Sequence, residues 1–127
     1  MNLVDPTGAD LKRFLAEDDG GPVVMLNLLR YKPDGGKERY AEYARAIVPH
    51  LEKVGGEVVY FGASGGTALV GEPWDAVLLV RYPSRQAFSQ MVADPDYQSI
   101  THLRSEALAA AVLQPTAPPR PRPRPQS

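Results

Sequence analysis

The chain has 127 residues, a formal net charge of −1, 43% hydrophobic residues and no cysteine. That length suits one domain with a real core, and the lack of cysteine excludes a disulfide frame, a thiol nucleophile and a thiolate metal site. No apolar run approaches the ~20 residues that cross a bilayer. The N-terminus, interrupted by Asp5-Pro6, shows no basic stretch followed by an apolar run, so the cytoplasm is the expected location.

The charge is unevenly spread. Residues 115–127 carry Arg120, Arg122 and Arg124 and no acid, leaving the rest with a net charge of −4. An acidic body argues against a nucleic-acid groove on the fold.

In chain order, residues 1–21 read as an N-terminal helical extension. Thr7 is the helix cap, Leu11, Phe14 and Leu15 form its apolar stripe, and Gly20-Gly21-Pro22 ends it. Val23 to Tyr31 reads as a strand. One face carries Val23, Met25, Asn27, Leu29 and Tyr31, with Asn27 the single polar residue among them. That amide either bonds a neighbouring strand or points into a ligand cavity. Lys37 to Val54 has the spacing of an amphipathic helix, with Tyr40, Tyr43, Ile47 and Leu51 on one stripe. Pro49 is expected to kink it, His50 reads as a solvated or capping residue, and Gly55-Gly56 caps it.

Glu57 to Ala63 reads as a second strand and Thr67 to Val70 as a short third one after Ser64-Gly65-Gly66. Ala76 to Tyr82 is a near-continuous apolar run and the strand around which the rest is organised. Arg81 is its one charge and needs a partner or an exit to water. Pro83 ends pairing and Ser84 caps a helix; Asp94-Pro95 restarts it. Tyr97, Thr101, Arg104 and Leu108 then share one helix side, so Arg104 calls for a carboxylate, carbonyls or an anionic ligand. His102 falls nearer Gln98 and Glu106. Ala110 to Leu113 reads as a final edge strand. Residues 115–127, with repeated Arg-Pro pairs, read as a disordered tail.

The order strand–helix–strand–strand–helix–strand predicts an α+β, ferredoxin-like split βαβ domain over residues 22–114, with an antiparallel sheet and helices on one face. The strands look apolar on both faces, so a second copy of the sheet is the expected cover, giving a homodimer.

Tyr40-Ala-Glu-Tyr43, Pro49, Gly55-Gly56, Trp74-Asp75, Arg81-Tyr-Pro-Ser84, Asp94-Pro-Asp-Tyr97-Gln98 and His102-Leu-Arg104 occur in this order. Together with Met25-Leu-Asn27-Leu-Leu, they resemble the bacterial domain-of-unknown-function family 1330 of the dimeric α+β barrel superfamily. The shorter members of that family carry acidic residues where this chain has Val70 and Arg81. The resemblance implies a pocket between sheet and helices, lined by an Asn, a Trp and a His or Arg. The matching types here are Asn27, Trp74, Arg81, His102 and Arg104.

The resulting expectation is a small-molecule-binding protein acting on an aromatic or polyketide-like ligand. The apolar pocket would be built from Met25, Tyr31, Tyr60, Phe61 and Trp74, with Arg81 beside it. As a cofactor-independent oxygenase, isomerase or cyclase, it would use Asn27 and Arg104 to hold a carbonyl or enolate oxygen and His102 or His50 to move a proton. No nucleophile–base pair or paired carboxylate shows in the sequence. The alternatives are a non-enzymatic ligand-binding or stress-associated dimer and, third, haem handling through His50 or His102. No metal site is expected, because the two histidines are far apart and no carboxylates cluster around them.

Overall fold

The computed structural model describes residues 4–119. The elements are α1 (Gly8–Ala16), β1 (Val23–Tyr31), α2 (Gly36–Val54), β2 (Glu57–Ala63), β3 (Ala76–Tyr82), α3 (Arg85–Ala93), α4 (Pro95–Gln98), α5 (Thr101–Ala107) and β4 (Leu108–Thr116). The strands form one antiparallel sheet in the order β2-β3-β1-β4. This is the ferredoxin-like topology expected from the element order.

The local signals act as their chemistry dictates. Thr7 and Asp10 form a reciprocal capping box at α1. The Ser84 hydroxyl accepts from the Ala87 N–H at 3.1 Å, and the Asp94 carboxylate accepts from the Asp96 N–H at 2.9 Å. Gly55 takes a left-handed φ of 76°, which lets the Gly56 N–H reach back to the Leu51 carbonyl. Helix α2 runs through Pro49 without interruption.

Three expectations change. Residues 67–70 form no strand: β3 already has β2 on one side and β1 on the other, and glycines at 65, 66 and 71 bracket the segment. Leu69 and Val70 are instead 99% and 93% exposed. The last helix breaks at Ser99-Ile100 and ends at Ala107, and β4 begins at Leu108. Strand β4 also continues through Pro115 and Thr116, so the first residues of the expected tail belong to the sheet; residues 120–127 lie outside the described residues.

Register decides which side chains share a face. Met25, Asn27 and Leu29 of β1 lie level with Val80, Leu78 and Ala76 of β3, and with Pro115, Leu113 and Ala111 of β4. This face meets the helices and holds the core. Its centre is Leu29, with Val23 and Met25 beside it and Tyr82, Phe88 and Met91 from the β3–α3 unit. The opposite face carries Val24, Leu26, Leu28, Val77, Leu79, Arg81 and Val112, most of them apolar and half-buried.

Helix α1 is part of this packing. Phe14 sits edge-on to Phe88 at 5.3 Å, and the Arg85 guanidinium donates to the Phe14 carbonyl at 2.9 Å while lying over its ring.

Gly36 is required by space. A Cβ there would stand 2.6 Å from the Ala107 carbonyl oxygen, which already accepts from the Lys32 N–H at 2.9 Å. That carbonyl is backbone and cannot swing away. Gly36→Ala is therefore expected to cost about 1–3 kcal/mol by forcing α2 off the end of α5. At Gly62 the nearest atoms a Cβ meets belong to the movable Tyr60 ring, and Gly62→Ala should cost less than about 1 kcal/mol. Urea unfolding of both variants tests the contrast; equal costs would rule out the steric account.

Candidate functional site

A cavity of about 660 Å³ opens between the helix-side face of the sheet and α2, α3 and α5. Its floor comes from helix-side residues of all four strands: Met25 and Asn27 of β1, Val58 and Phe61 of β2, Leu78, Val80 and Tyr82 of β3, and Leu113 of β4. Its roof is the α2 stripe of Tyr40, Tyr43, Ala44, Ile47 and Leu51. Asp5 and Pro6 from the N-terminal segment, with Thr101 and Arg104 of α5, complete the wall.

Asn27 is buried, and its Nδ2 donates to the carbonyls of Met25 at 3.3 Å and Leu78 at 3.4 Å. Both bonds are long for an amide, whose usual separation is about 2.9–3.0 Å. The amide thus reaches a neighbouring strand and also lines the cavity.

Arg104 is 6% exposed. Its Nη1 donates to the Asp5 carboxylate at 2.7 Å and to the Val4 carbonyl, and Ser105 also donates to Asp5. The Arg104 Nη2 is buried without a hydrogen-bond partner among the described residues.

Around this guanidinium stand tyrosines from three elements. Tyr43 of α2 and Tyr97 of α4 share a hydrogen bond of 2.7 Å between their hydroxyls. Tyr40 packs against Tyr43 and Tyr31 at ring separations of 5.5 and 5.8 Å. Burial pushes the pKa values of Tyr40, Tyr43, Tyr82 and Tyr97 up, that of Tyr40 to about 12, and the charge of Arg104 pulls each of them partly back. At neutral pH these phenols are protonated donors.

Met25, Asn27, Tyr31, Phe61 and Arg104 all line this cavity. Five others lie outside it. His102 is exposed on α5, outside the cavity wall, because its position on the helix lies off the Tyr97–Arg104 side. Tyr60 is displaced by a register shift in β2 between Val58 and Tyr60, which places Val58 and Phe61 on the helix side and Tyr60 opposite Leu79 on the other. Trp74 lies under the Arg30 guanidinium at 4.7 Å, at the sheet margin. Its neighbour Asp75 binds the Tyr31 N–H through its carboxylate and the Leu29 carbonyl through its own N–H, both at 2.8 Å. The Trp74-Asp75 motif is thus a clamp on the end of β1. Arg81 points to the helix-free face, level with Glu57. His50 meets the Tyr97 ring edge-on at 5.9 Å and does not line the cavity.

The sequence reading did not find Asp5, Tyr82 or Tyr97 as cavity residues. Tyr40 and Tyr43 carried a signal in their shared stripe; Asp5 is 99 residues from Arg104 and carried none. Among the described residues there is no group of three or more His, Cys, Asp or Glu residues able to hold a metal ion, and no helix is long and apolar enough to cross a membrane.

A four-stranded antiparallel sheet with helices on one face and a pocket between the layers defines a ferredoxin-like α+β protein. The chain belongs to the domain of unknown function family DUF1330, whose model matches residues 35–114. A protein of unknown function from Rhodopseudomonas palustris is 37% identical, aligns over 95% of this chain and all of its own, and superposes with a TM-score of 0.85. An uncharacterised NIPSNAP domain protein from Burkholderia xenovorans shares the fold at 12% identity, over 77% of this chain and 95% of its own, with a TM-score of 0.59. A dimeric ferredoxin-like protein of unknown function from Jannaschia does so at 13%, over 76% and 99%, with a TM-score of 0.62. No curated protein matches the chain significantly.

Proposed function

We propose that the protein binds a small, mostly apolar, aromatic or polyketide-like molecule in the cavity between sheet and helices, and that it does so as a homodimer. The observation that carries the ligand reading is the cavity itself. Its volume falls in the range of small-molecule pockets of about 300–1,000 Å³, its walls are largely aliphatic and aromatic, and a few polar groups converge at the Arg104 end. The half-buried apolar outer face of the sheet supports the dimer, as does the dimeric state stated for ferredoxin-like relatives.

Between catalysis and binding, the arrangement favours binding. Neither histidine lines the cavity, so neither is placed to move a ligand proton there. The same placement weighs against haem handling, since an axial ligand would have to come from His50 or His102; added haemin is expected to give no shift of its Soret band.

The direct test is to block the cavity. Ala44 lines it from an exposed position on α2, so Ala44→Trp fills the space with little cost to the core. A thermal-shift screen against aromatic acids, quinols and polyketide-like phenols should yield ligands that raise the Tm of the wild type and fail to raise that of Ala44→Trp. Ligands that stabilise both proteins equally would show that they bind elsewhere.

A further inference from the structure

We propose that the Arg104 end of the cavity is an oxyanion subsite, and that the ligand is a ring-bearing molecule bound through one negatively charged oxygen, a carboxylate or an enolate, by Arg104 with Tyr43 and Tyr97. This rests on the cavity being the ligand site and adds the charge and orientation of the ligand.

The first support is the Arg104 Nη2. A buried guanidinium nitrogen with no acceptor costs roughly 1–3 kcal/mol or more, and almost every other buried polar atom in proteins is partnered. Here Nη1 is taken by Asp5 and Val4, while Nη2 has no acceptor in a side chain that lines the cavity. Nη2 is closed to water in this structure, and an oxygen supplied by a ligand satisfies it once the guanidinium turns toward the cavity.

The second support is the donor set beside it. The Tyr43 and Tyr97 hydroxyls hold one proton between them at 2.7 Å, which leaves the other hydroxyl proton for an external acceptor. Both phenols stay protonated because they are buried, so they offer donors and no negative charge. A neutral ketone accepts from these donors only through neutral bonds. An anion gains charge-assisted bonds, roughly twice as strong as neutral ones.

The third support is the charge of the wall. Among its residues Lys37 and Arg104 are cationic and Asp5 is anionic, a surplus of one positive charge in a chain with net charge −1. A cationic ligand meets no unpaired carboxylate at this end, since Asp5 is held by Arg104 and Ser105. The rest of the lining is apolar or aromatic and suits a planar body, with Phe61 and Tyr31 available as ring partners.

The test is calorimetric titration at neutral pH with two matched pairs: naphthoate against its methyl ester, and a hydroxynaphthoquinone, ionised as the enolate, against its methyl ether. At least one anion is expected to bind about tenfold more tightly than its methylated partner, the value of one charge-assisted bond. Whichever anion shows the preference names the ligand's oxygen as carboxylate or enolate. Tyr43→Phe and Tyr97→Phe each remove a single oxygen and should fold; they are expected to weaken the preferred anion about fivefold and leave its methylated partner unchanged. Equal binding of anions and methylated partners, abolished in Ala44→Trp, would overturn the oxyanion subsite while leaving the cavity reading intact. Absence of binding by all four probes would overturn both.

Discussion

Asp5→Ala is expected to remove about 3–5 kcal/mol of unfolding free energy, because it strands a buried guanidinium. The pair is asymmetric: the Arg104 side chain is 7% exposed and the Asp5 side chain 26%. Removing the arginine leaves a carboxylate that water can reach, still bonded by Ser105. Removing the aspartate leaves a cation with water excluded from most of its surface and a second nitrogen already without a partner. Arg104→Met, which keeps the packing of the stem and deletes the charge, should therefore cost distinctly less than Asp5→Ala. For a domain of this size, 3 kcal/mol corresponds to a Tm drop of roughly 10 °C. The same clamp holds Asp5 and Pro6 against the cavity wall, so Asp5→Ala should also speed proteolysis near the N-terminus. Urea unfolding of the two variants decides the matter: equal costs, or a cost below about 1 kcal/mol for Asp5→Ala, would mean that the carboxylate is a surface partner of little weight.

What could be read from sequence follows from the range of the interactions involved. Strands β1, β2 and β3 match their expected bounds because their limits are local chemistry: Gly21-Pro22, Gly55-Gly56, Ser64-Gly65 and Pro83 interrupt the backbone pattern whatever surrounds them. The topology followed from element order, since few arrangements accommodate strand–helix–strand–strand–helix–strand. The segment Thr67–Val70 misled because a short β-branched and aliphatic run has strand propensity, and only the sheet decides whether an edge is open to it.

The site was legible where alternation governs it. Met25 and Asn27 share a strand face, so placing one placed the other. Tyr60 and Phe61 are adjacent in a strand and cannot share a face, and the register shift at Val58–Tyr60 then decides which of them turns inward. Arg104 showed as a charge on a buried helix side; its partner came from the far end of the chain, beyond any periodic pattern. Trp74, Arg81 and His102 were expected in the pocket by the family resemblance. Their places in this fold are a stacking partner for Arg30, a charge on the outer face and an exposed helix position.

The largest change in assembly is expected from Leu26→Lys. Leu26 sits at the middle of the outer face of β1, level with Leu79 on one side and Gln114 on the other. Val24, Leu28, Val77 and Val112 surround it on that face. No side chain of this group lines the helix-side cavity, so their apolar surface is available to a second copy of the chain. A two-layer fold buries one face of its sheet under helices, and an apolar second face is stable in water only when another layer covers it. A twofold pairing brings Leu26 near its own counterpart or a close neighbour, so one substitution enters the interface twice. Two ammonium groups in a buried apolar contact cost more than a standard interface of roughly 1,600 Å² has to spare. Wild type is expected to run as a dimer in light scattering at micromolar concentration and Leu26→Lys as a monomer with its circular dichroism retained. Ala93→Lys, which adds the same charge at an exposed position on α3, should remain a dimer. A wild-type monomer, or a Leu26→Lys variant that still pairs, would mean that this face is covered in some other way and that the sheets of two copies do not meet.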